Sequence, residues 1–113
     1  MKYNHYIIDI EFTDKKMLID VENFKKTILN FCEESGVTVL HNYFHSFKET
    51  NGYTGVICLS ESHISVHTWP EHLKMCLDVF MCNNHRSDIF MKLLKNKIDR
   101  EEAKYDIRII ERM

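Results

Sequence analysis

The stretch LSESHISVHTWPE, residues 59–71, has the apolar-flanked pattern of a β-strand yet carries many reactive side chains. Three serines, two histidines and two glutamates occur within its thirteen residues. A strand that only fills a hydrophobic core does not need hydroxyl, imidazole and carboxylate groups at this density. Their combination with apolar neighbours predicts an activated nucleophile together with the acid–base groups that assist it.

Further strands flank this stretch on both sides. Runs rich in apolar, β-branched and aromatic residues predict four consecutive strands, at residues 37–47, 53–60, 62–69 and 75–82. Residues 48–52 predict the turn between the first two, because their Asn51-Gly52 pair is a strong hairpin signal. Pro70 predicts the end of the strand that holds the reactive residues.

Two helices and two outer strands complete the pattern. Asp20 predicts the N-cap of a first helix and Gly36 its end, while a second helix is predicted to begin near Ser87. The stripe expected to be buried on the second helix is Ile89, Phe90, Leu93 and Leu94. Alternating residues predict strands near residues 6–12 and 104–111. The order β-α-β-β-β-β-α-β predicts an α+β two-layer sandwich, an antiparallel sheet with two helices packed on one face.

Length and composition limit the class of protein. A chain of 113 residues fits a single domain, and its 44% hydrophobic and 28% charged residues are typical of a soluble globular protein. A net charge of −2 opposes a nucleic-acid partner, which needs a basic face to neutralise phosphates. No apolar run approaches the roughly 20 residues that cross a bilayer, and residues 1–5 lead into a strand pattern rather than a signal peptide.

The cysteines and histidines predict neither disulfides nor a metal site. The four cysteines form no Cys-x-x-Cys pair, and without a signal peptide they predict reduced thiols in a cytoplasmic protein. The pairs His41-x3-His45 and His63-x3-His67 lack the cysteine or carboxylate that would complete a four-ligand set. We therefore expect no bound metal. The length of the apolar runs and the net charge given above likewise predict no membrane and no nucleic-acid partner.

Residues 59–71, followed by Asp78-Val79-Phe80 and Cys82, resemble the short prokaryotic type of S-adenosylmethionine decarboxylase. The resemblance covers most of the chain and rests on a specific string, Glu-Ser-His-Ile-Ser-x-His-Thr-Trp-Pro-Glu. It implies a proenzyme that cuts itself and thereby makes a pyruvoyl cofactor. The expected products are residues 1–61 and residues 62–113, the second chain beginning with a pyruvoyl group generated from Ser62.

The resemblance also implies roles for the residues around the cut. Ser62 attacks the carbonyl of Glu61, and the pyruvoyl group that results binds the substrate amine as a Schiff base. His67 matches the histidine that accepts the proton during processing, a task suited to imidazole. Thr54 lies where the family has a serine that assists processing. On a straight strand, positions 62 and 67 face opposite sides, so a bend near Ser62 is expected.

Further positions match groups that act on the substrate. Cys82 matches the thiol that protonates the α-carbon after carbon dioxide leaves. Cys76 is expected on the same strand face, so mutagenesis could mistake it for this thiol. Phe47 matches an aromatic ring that stacks on adenine, and Glu71 matches a carboxylate that holds the ribose hydroxyls. The resemblance further implies a homodimer, or a dimer of cleaved heterodimers, with active sites near the interface.

Some positions depart from the family pattern, so alternatives remain open. His72-Leu73 replaces a usual Tyr-Gly pair, Met81 a threonine and Asn83 a glycine. The main hypothesis is decarboxylation of S-adenosylmethionine, which supplies the aminopropyl donor for spermidine synthesis. A second hypothesis is a pyruvoyl-dependent decarboxylase of ornithine or arginine, which an added carboxylate such as Glu11 would favour. A third is a non-cleaving homologue that regulates an active partner.

Overall fold

The computed structural model describes residues 2–113, so Met1 of the predicted domain lies outside the described residues. Within residues 2–113 the chain forms six strands, three α-helices and one short 3-10 turn. Their bounds are β1 Tyr3–Glu11, α1 Lys16–Ile19, α2 Val21–Ser35, β2 Val39–Ser46, β3 Tyr53–Leu59, β4 Ser62–Trp69, the 3-10 turn Pro70–His72, β5 Lys74–Met81, α3 Asn84–Arg100 and β6 Lys104–Arg112. The strands form one antiparallel sheet in the order β2-β3-β4-β5-β1-β6.

One face of the sheet packs against the two long helices. On β4 this buried face carries Ile64, Val66 and Thr68, and both long helices contribute to the same hydrophobic core. The alternate residues lie on the opposite face, which we call the open face; on β4 they include His63 and His67. The predicted α+β two-layer sandwich is therefore confirmed. None of the helices within residues 2–113 is long and apolar enough to cross a membrane.

The two ends of α2 agree with the sequence prediction. Asp20 is the N-cap, and its side chain accepts a hydrogen bond from the Asn23 N–H at 3.0 Å. Gly36 ends the helix with φ at 83°, a backbone conformation that glycine adopts without the steric cost of a Cβ.

The start of α3 differs from the prediction. The helix begins at Asn84, three residues before Ser87, because the Asn83 side chain accepts a hydrogen bond from the Arg86 N–H and caps the helix there. Of the predicted stripe, Phe90 and Leu94 are buried, whereas Ile89 and Leu93 are half-buried; the other buried residues of the helix are Ser87, Met91 and Ile98. A single helical turn, α1, was not predicted; it buries Met17 and Leu18 at the edge of the core.

The predicted turn between β2 and β3 is present. Asn51 has φ at 63°, whereas Gly52 is required for a close approach: a Cβ at this position would lie 2.9 Å from Pro70 Cδ. The contact places the turn after β2 against the turn after β4. Side chains near Phe47 and Glu71 are therefore brought to the same end of the sheet.

We expect the Phe90→Ala substitution to lower the free energy of unfolding by about 3–5 kcal/mol, because it leaves a cavity in the hydrophobic core. Phe90 is fully buried, and its ring meets the Phe31 ring edge-on with centroids 6.1 Å apart. The measurement is urea unfolding followed by circular dichroism. Leu40→Ala is the control, because Leu40 is 66% exposed; equal losses in both variants would contradict the packing described here.

Candidate active site

The peptide bond between Glu61 and Ser62 lies in the tight turn between β3 and β4. Ser62 has φ at 145°, in the positive range that residues other than glycine rarely adopt. The Glu61 carbonyl oxygen accepts a hydrogen bond from the Cys82 N–H at 2.7 Å. This peptide bond is therefore held in a strained conformation, with a backbone donor directed at its carbonyl oxygen.

The thiol of Cys82 lies beside the hydroxyl of Ser62. Cys82 follows β5, and the register pairs Ser62 with Met81, the last residue of that strand. The Ser62 Oγ and Cys82 Sγ atoms are 3.2 Å apart. The Cys82 side chain is exposed, so a substrate has access to the pair. Glu61, Ser62 and Cys82 are called the cleavage group below.

The side chain of Glu61 is held by three donors. Its Oε1 accepts hydrogen bonds from the Thr38 N–H at 3.2 Å and the Ser60 hydroxyl at 2.8 Å. Its Oε2 forms an ion pair of 2.6 Å with Arg86. Burial raises the pKa of the Glu61 carboxyl, but the hydrogen bonds from Ser60 and Thr38 and the charge of Arg86 outweigh it and hold that pKa below its usual range.

The sequence analysis did not identify the residues that hold Glu61. Arg86 offers one sequence signal. It lies in the first turn of α3, where the helix dipole favours acidic rather than basic side chains. Thr38 contributes only its backbone N–H, which no sequence pattern marks.

Thr54 and His67 form a second pair on the open face. They are directly opposite each other on β3 and β4, and Thr54 Oγ1 lies 2.7 Å from His67 Nδ1. The Thr54 hydroxyl also donates to the Val66 carbonyl at 3.4 Å. The threonine therefore fixes the orientation of the imidazole ring and leaves Nε2 of His67 outside this contact.

Phe47 and Glu71 lie at the same end of the sheet as this pair. Phe47 is 42% exposed, and its ring meets the His45 ring edge-on at 4.9 Å between centroids. Glu71 is exposed and makes no ion pair with any residue of the described range 2–113. Phe47, Thr54, His67 and Glu71 are called the recognition group below. Both the aromatic ring and the carboxylate are accessible to a ligand.

The structure does not bring the two groups together within one chain. Ser62 and His67 are five residues apart on the same strand, which corresponds to roughly 16 Å at the rise of an extended chain. The expected irregularity at Ser62 is present as a positive φ, yet it leaves His67 at the far end of β4. Within one chain, His67 is too far away to exchange a proton with Ser62.

Cys76 lies on the open face in the same cross-strand row as His67 and Asp9. Its Sγ donates a hydrogen bond to Asp9 Oδ1 at 3.2 Å. Burial, the Asp9 hydrogen bond and the negative charges of Asp9 and Asp78 raise the pKa of the Cys76 thiol to about 11. It is therefore protonated at neutral pH and lies apart from Ser62.

Leu73 is one of the positions that depart from the family pattern. Its φ is 57° at the position where the family usually has glycine, and its carbonyl accepts a hydrogen bond from the Phe12 N–H at 2.8 Å. The chain therefore keeps a left-handed turn between β4 and β5 with a bulkier residue. The substitution leaves the backbone path to β5 intact.

We expect Asp9→Asn to lower the pKa of Cys76 and so accelerate its alkylation by iodoacetamide at pH 9. The raised pKa keeps most of the thiol protonated at that pH, and removal of the Asp9 charge increases the thiolate fraction, which is the reactive form. Peptide mass spectrometry measures the rate at each cysteine. Cys58, which is exposed, serves as the internal control. An unchanged rate at Cys76 would contradict the role of Asp9.

Comparisons with known proteins identify the family of this chain. The model of the family described as S-adenosylmethionine decarboxylase matches residues 4–112. The S-adenosylmethionine decarboxylase proenzyme of Synechococcus sp. (strain WH7803) is 41% identical over 81 residues, which cover 72% of this chain and 62% of that protein. The corresponding proenzyme of Persephonella marina is 34% identical over 105 residues, covering 88% of this chain and 78% of that protein.

A solved structure shares the fold along nearly the whole chain. The crystal structure of the adenosylmethionine decarboxylase from Aquifex aeolicus vf5 has a TM-score of 0.81 and 25% sequence identity, covering 98% of this chain and 91% of that one. The first curated relatives are longer, and the match spans about three fifths of their length, 61% and 62% in two of them. The family match over residues 4–112 and the shared fold lead to one conclusion: this chain belongs to the S-adenosylmethionine decarboxylase family.

Proposed function

We propose that this chain is a self-processing, pyruvoyl-dependent decarboxylase of S-adenosylmethionine, which supplies the aminopropyl donor for spermidine synthesis. The observation on which the proposal rests is the geometry of the cleavage group. The Glu61 carbonyl is held by the Cys82 N–H at 2.7 Å, next to a Ser62 whose φ is 145°. The two relatives described above are both named S-adenosylmethionine decarboxylase proenzyme, and this name supports the substrate.

In the proposed cleavage, Ser62 Oγ attacks the carbonyl carbon of Glu61. The Cys82 N–H then stabilises the negative charge that develops on the carbonyl oxygen, as a backbone donor does in an oxyanion hole. The bond from this carbon to the Ser62 nitrogen breaks, which gives an ester and relieves the strain at Ser62. Elimination then frees the Glu61 carboxylate, and hydrolysis with loss of the Ser62 nitrogen as ammonia leaves residues 1–61 and residues 62–113, the second chain beginning with the pyruvoyl group.

The residues around Ser62 fit the pyruvoyl group that the family implies. A serine hydroxyl is the precursor of the group, and it lies at a strained, accessible turn with a thiol 3.2 Å away. Once formed, the pyruvoyl group supplies the electron sink for decarboxylation. The Cys82 thiol, 3.2 Å from the Ser62 hydroxyl, then provides the proton for the substrate α-carbon.

The proposed enzyme is a homodimer before cleavage and a dimer of cleaved heterodimers afterwards. His67 is roughly 16 Å from Ser62 within one chain, so its role in processing requires the His67 of a second copy. A two-fold axis that packs the open faces together places the recognition group of each copy over the cleavage group of the other. Exposed hydrophobic residues on this face support such packing: Tyr43, Val56, Trp69 and Ile110.

The recognition group favours the nucleoside substrate over a basic amino acid. The exposed Phe47 ring provides a stacking surface for adenine, and the Glu71 carboxylate is available to the ribose hydroxyls. Two other carboxylates of the open face that could attract a cationic side chain are paired within the chain. Asp9 pairs with Arg108 at 3.4 Å, and Glu11 pairs with Lys74 at 3.6 Å.

We expect the purified protein to release carbon dioxide from S-adenosylmethionine and to act far more slowly on ornithine and arginine. Release of labelled carbon dioxide from each carboxyl-labelled substrate measures this directly. Ser62→Ala is the matched control and should be inactive with all three substrates, because it lacks the hydroxyl from which the cofactor forms. Faster release from ornithine or arginine would replace the proposed substrate, and no release from any substrate would favour the non-cleaving regulator.

We expect two inactive variants to restore cleavage when they are mixed as dimers. Ser62→Ala lacks the nucleophile and His67→Ala lacks the proton acceptor, so neither cleaves alone. In a mixed dimer, the Ser62 of the His67→Ala chain meets the intact His67 of the other chain. Mass spectrometry after co-expression identifies the cleaved chain by its substitution. Cleavage of the His67→Ala chain alone, or its persistence uncut in mixed dimers, would contradict the shared site.

A further inference from the structure

The side chain of Glu61 is bound more extensively than a residue in an exposed turn requires. Its carboxylate contacts three donors from separate parts of the chain: Thr38 before β2, Ser60 within the turn and Arg86 in α3. The Glu61 side chain is 16% exposed, while that of Arg86 is 39% exposed. The shortest of these contacts is the Arg86 ion pair at 2.6 Å, a charge-assisted hydrogen bond.

The turn that contains Glu61 lacks the residues that normally stabilise it. Two residues, Ser60 and Glu61, connect β3 to β4, and hairpin loops of this length favour asparagine, aspartate or glycine. The loop is attached through its side chain and backbone instead, because the Ser60 N–H also donates to the Thr38 carbonyl at 3.0 Å. The conformation of the peptide bond after Glu61 therefore depends on contacts outside the hairpin.

Arg86 occupies a position that helix stability alone does not favour. It lies in the first turn of α3, where a positive charge opposes the helix dipole, and that turn contains no acidic residue. Its side chain runs past the C-terminal end of α2, where a Cβ on Gly36 would be 3.7 Å from Arg86 Nε. There the carbonyl ends of α2 stabilise a cation. The Arg86 guanidinium group thus links α3 to the turn and lies close to the end of α2.

Arg86 and Cys82 act on the same residue from one segment. Cys82 donates to the Glu61 carbonyl, and Arg86, four residues later, binds the Glu61 carboxylate. The Asn83 side chain fixes the geometry of this segment by accepting from the Arg86 N–H at 3.0 Å. Glu61 is therefore held at both its backbone and its side chain by residues 82–86.

We propose that Arg86 is a positioning residue for self-cleavage, which holds the Glu61 side chain so that the Glu61 carbonyl stays in line with the Ser62 hydroxyl and the Cys82 N–H. This inference rests on the proposed function, since it concerns the same cleavage. In the first step the bond from Ser62 Oγ to the Glu61 carbonyl carbon forms and the bond from that carbon to the Ser62 nitrogen breaks. The hydroxyl proton ends on the freed amine, so the step needs no other reactant.

The test compares the cleavage rates of Arg86→Met and Arg86→Lys with the wild type. Newly translated protein is quenched at intervals, and the intact fraction is measured by mass spectrometry. We expect Arg86→Met to cleave at least about tenfold more slowly, whereas Arg86→Lys, which keeps the charge, stays within about threefold. Arg100→Met is the matched control, because Arg100 is an exposed arginine of the same helix.

A double-mutant cycle with Glu61→Gln separates positioning from a general loss of stability. If Arg86 acts through Glu61, the double variant Glu61→Gln/Arg86→Met cleaves no more slowly than the slower single variant. Additive slowing would overturn the inference, as would wild-type cleavage by Arg86→Met. If Arg86→Met does not fold, Glu61→Gln serves as the test, because it also removes the charge pair. Cleavage of Glu61→Gln at the wild-type rate would overturn the inference.

The outcomes also separate this inference from the proposed function. A wild-type chain that never cleaves would overturn both. A wild type that cleaves while Arg86→Met matches its rate would overturn only the role of Arg86. Slow cleavage by Arg86→Met, with recovery in Arg86→Lys and no change in Arg100→Met, is the result that the geometry predicts.

Discussion

The hydrogen bond from the Cys82 N–H to the Glu61 carbonyl is the interaction on which the site depends. It joins the turn before β4 to the end of β5. It forms because β4 and β5 are neighbouring strands in the sheet. The register that pairs Ser62 with Met81 sets its length and places the Ser62 hydroxyl beside the Cys82 thiol. In the proposed mechanism, this one sheet register supplies the nucleophile, the oxyanion donor and the proton donor.

The geometry of an extended strand imposes a second constraint. Side chains on one strand are separated by its rise, so the five-residue step from Ser62 to His67 corresponds to roughly 16 Å. Because Ser62 and His67 lie on the same extended strand, the fold of one chain cannot bring their side chains together. In the proposed dimer, a symmetric pair of sheets overcomes the separation, because each copy offers its recognition group to the cleavage group of the other.

The fold was predictable because its signals are local. Asp20 and Gly36 mark the ends of α2, and the alternation along β4 fixes which residues face the core. The start of α3 was predicted too late, because the Asn83 cap precedes the apolar pattern, and two of the four residues predicted for its buried stripe, Ile89 and Leu93, are only half-buried. The residues matched by the family string were identifiable, whereas Arg86 was not, since an ion pair across 25 residues leaves no periodic signal.

The most direct test of the central claim is the intact mass of the purified protein under denaturing conditions. The account predicts two chains that end and begin at the Glu61–Ser62 bond, with the second blocked at its N-terminus. Together their masses should differ from that of the full chain by one water gained and one ammonia lost. A single chain of 13.6 kDa that stays uncut over days would contradict the account.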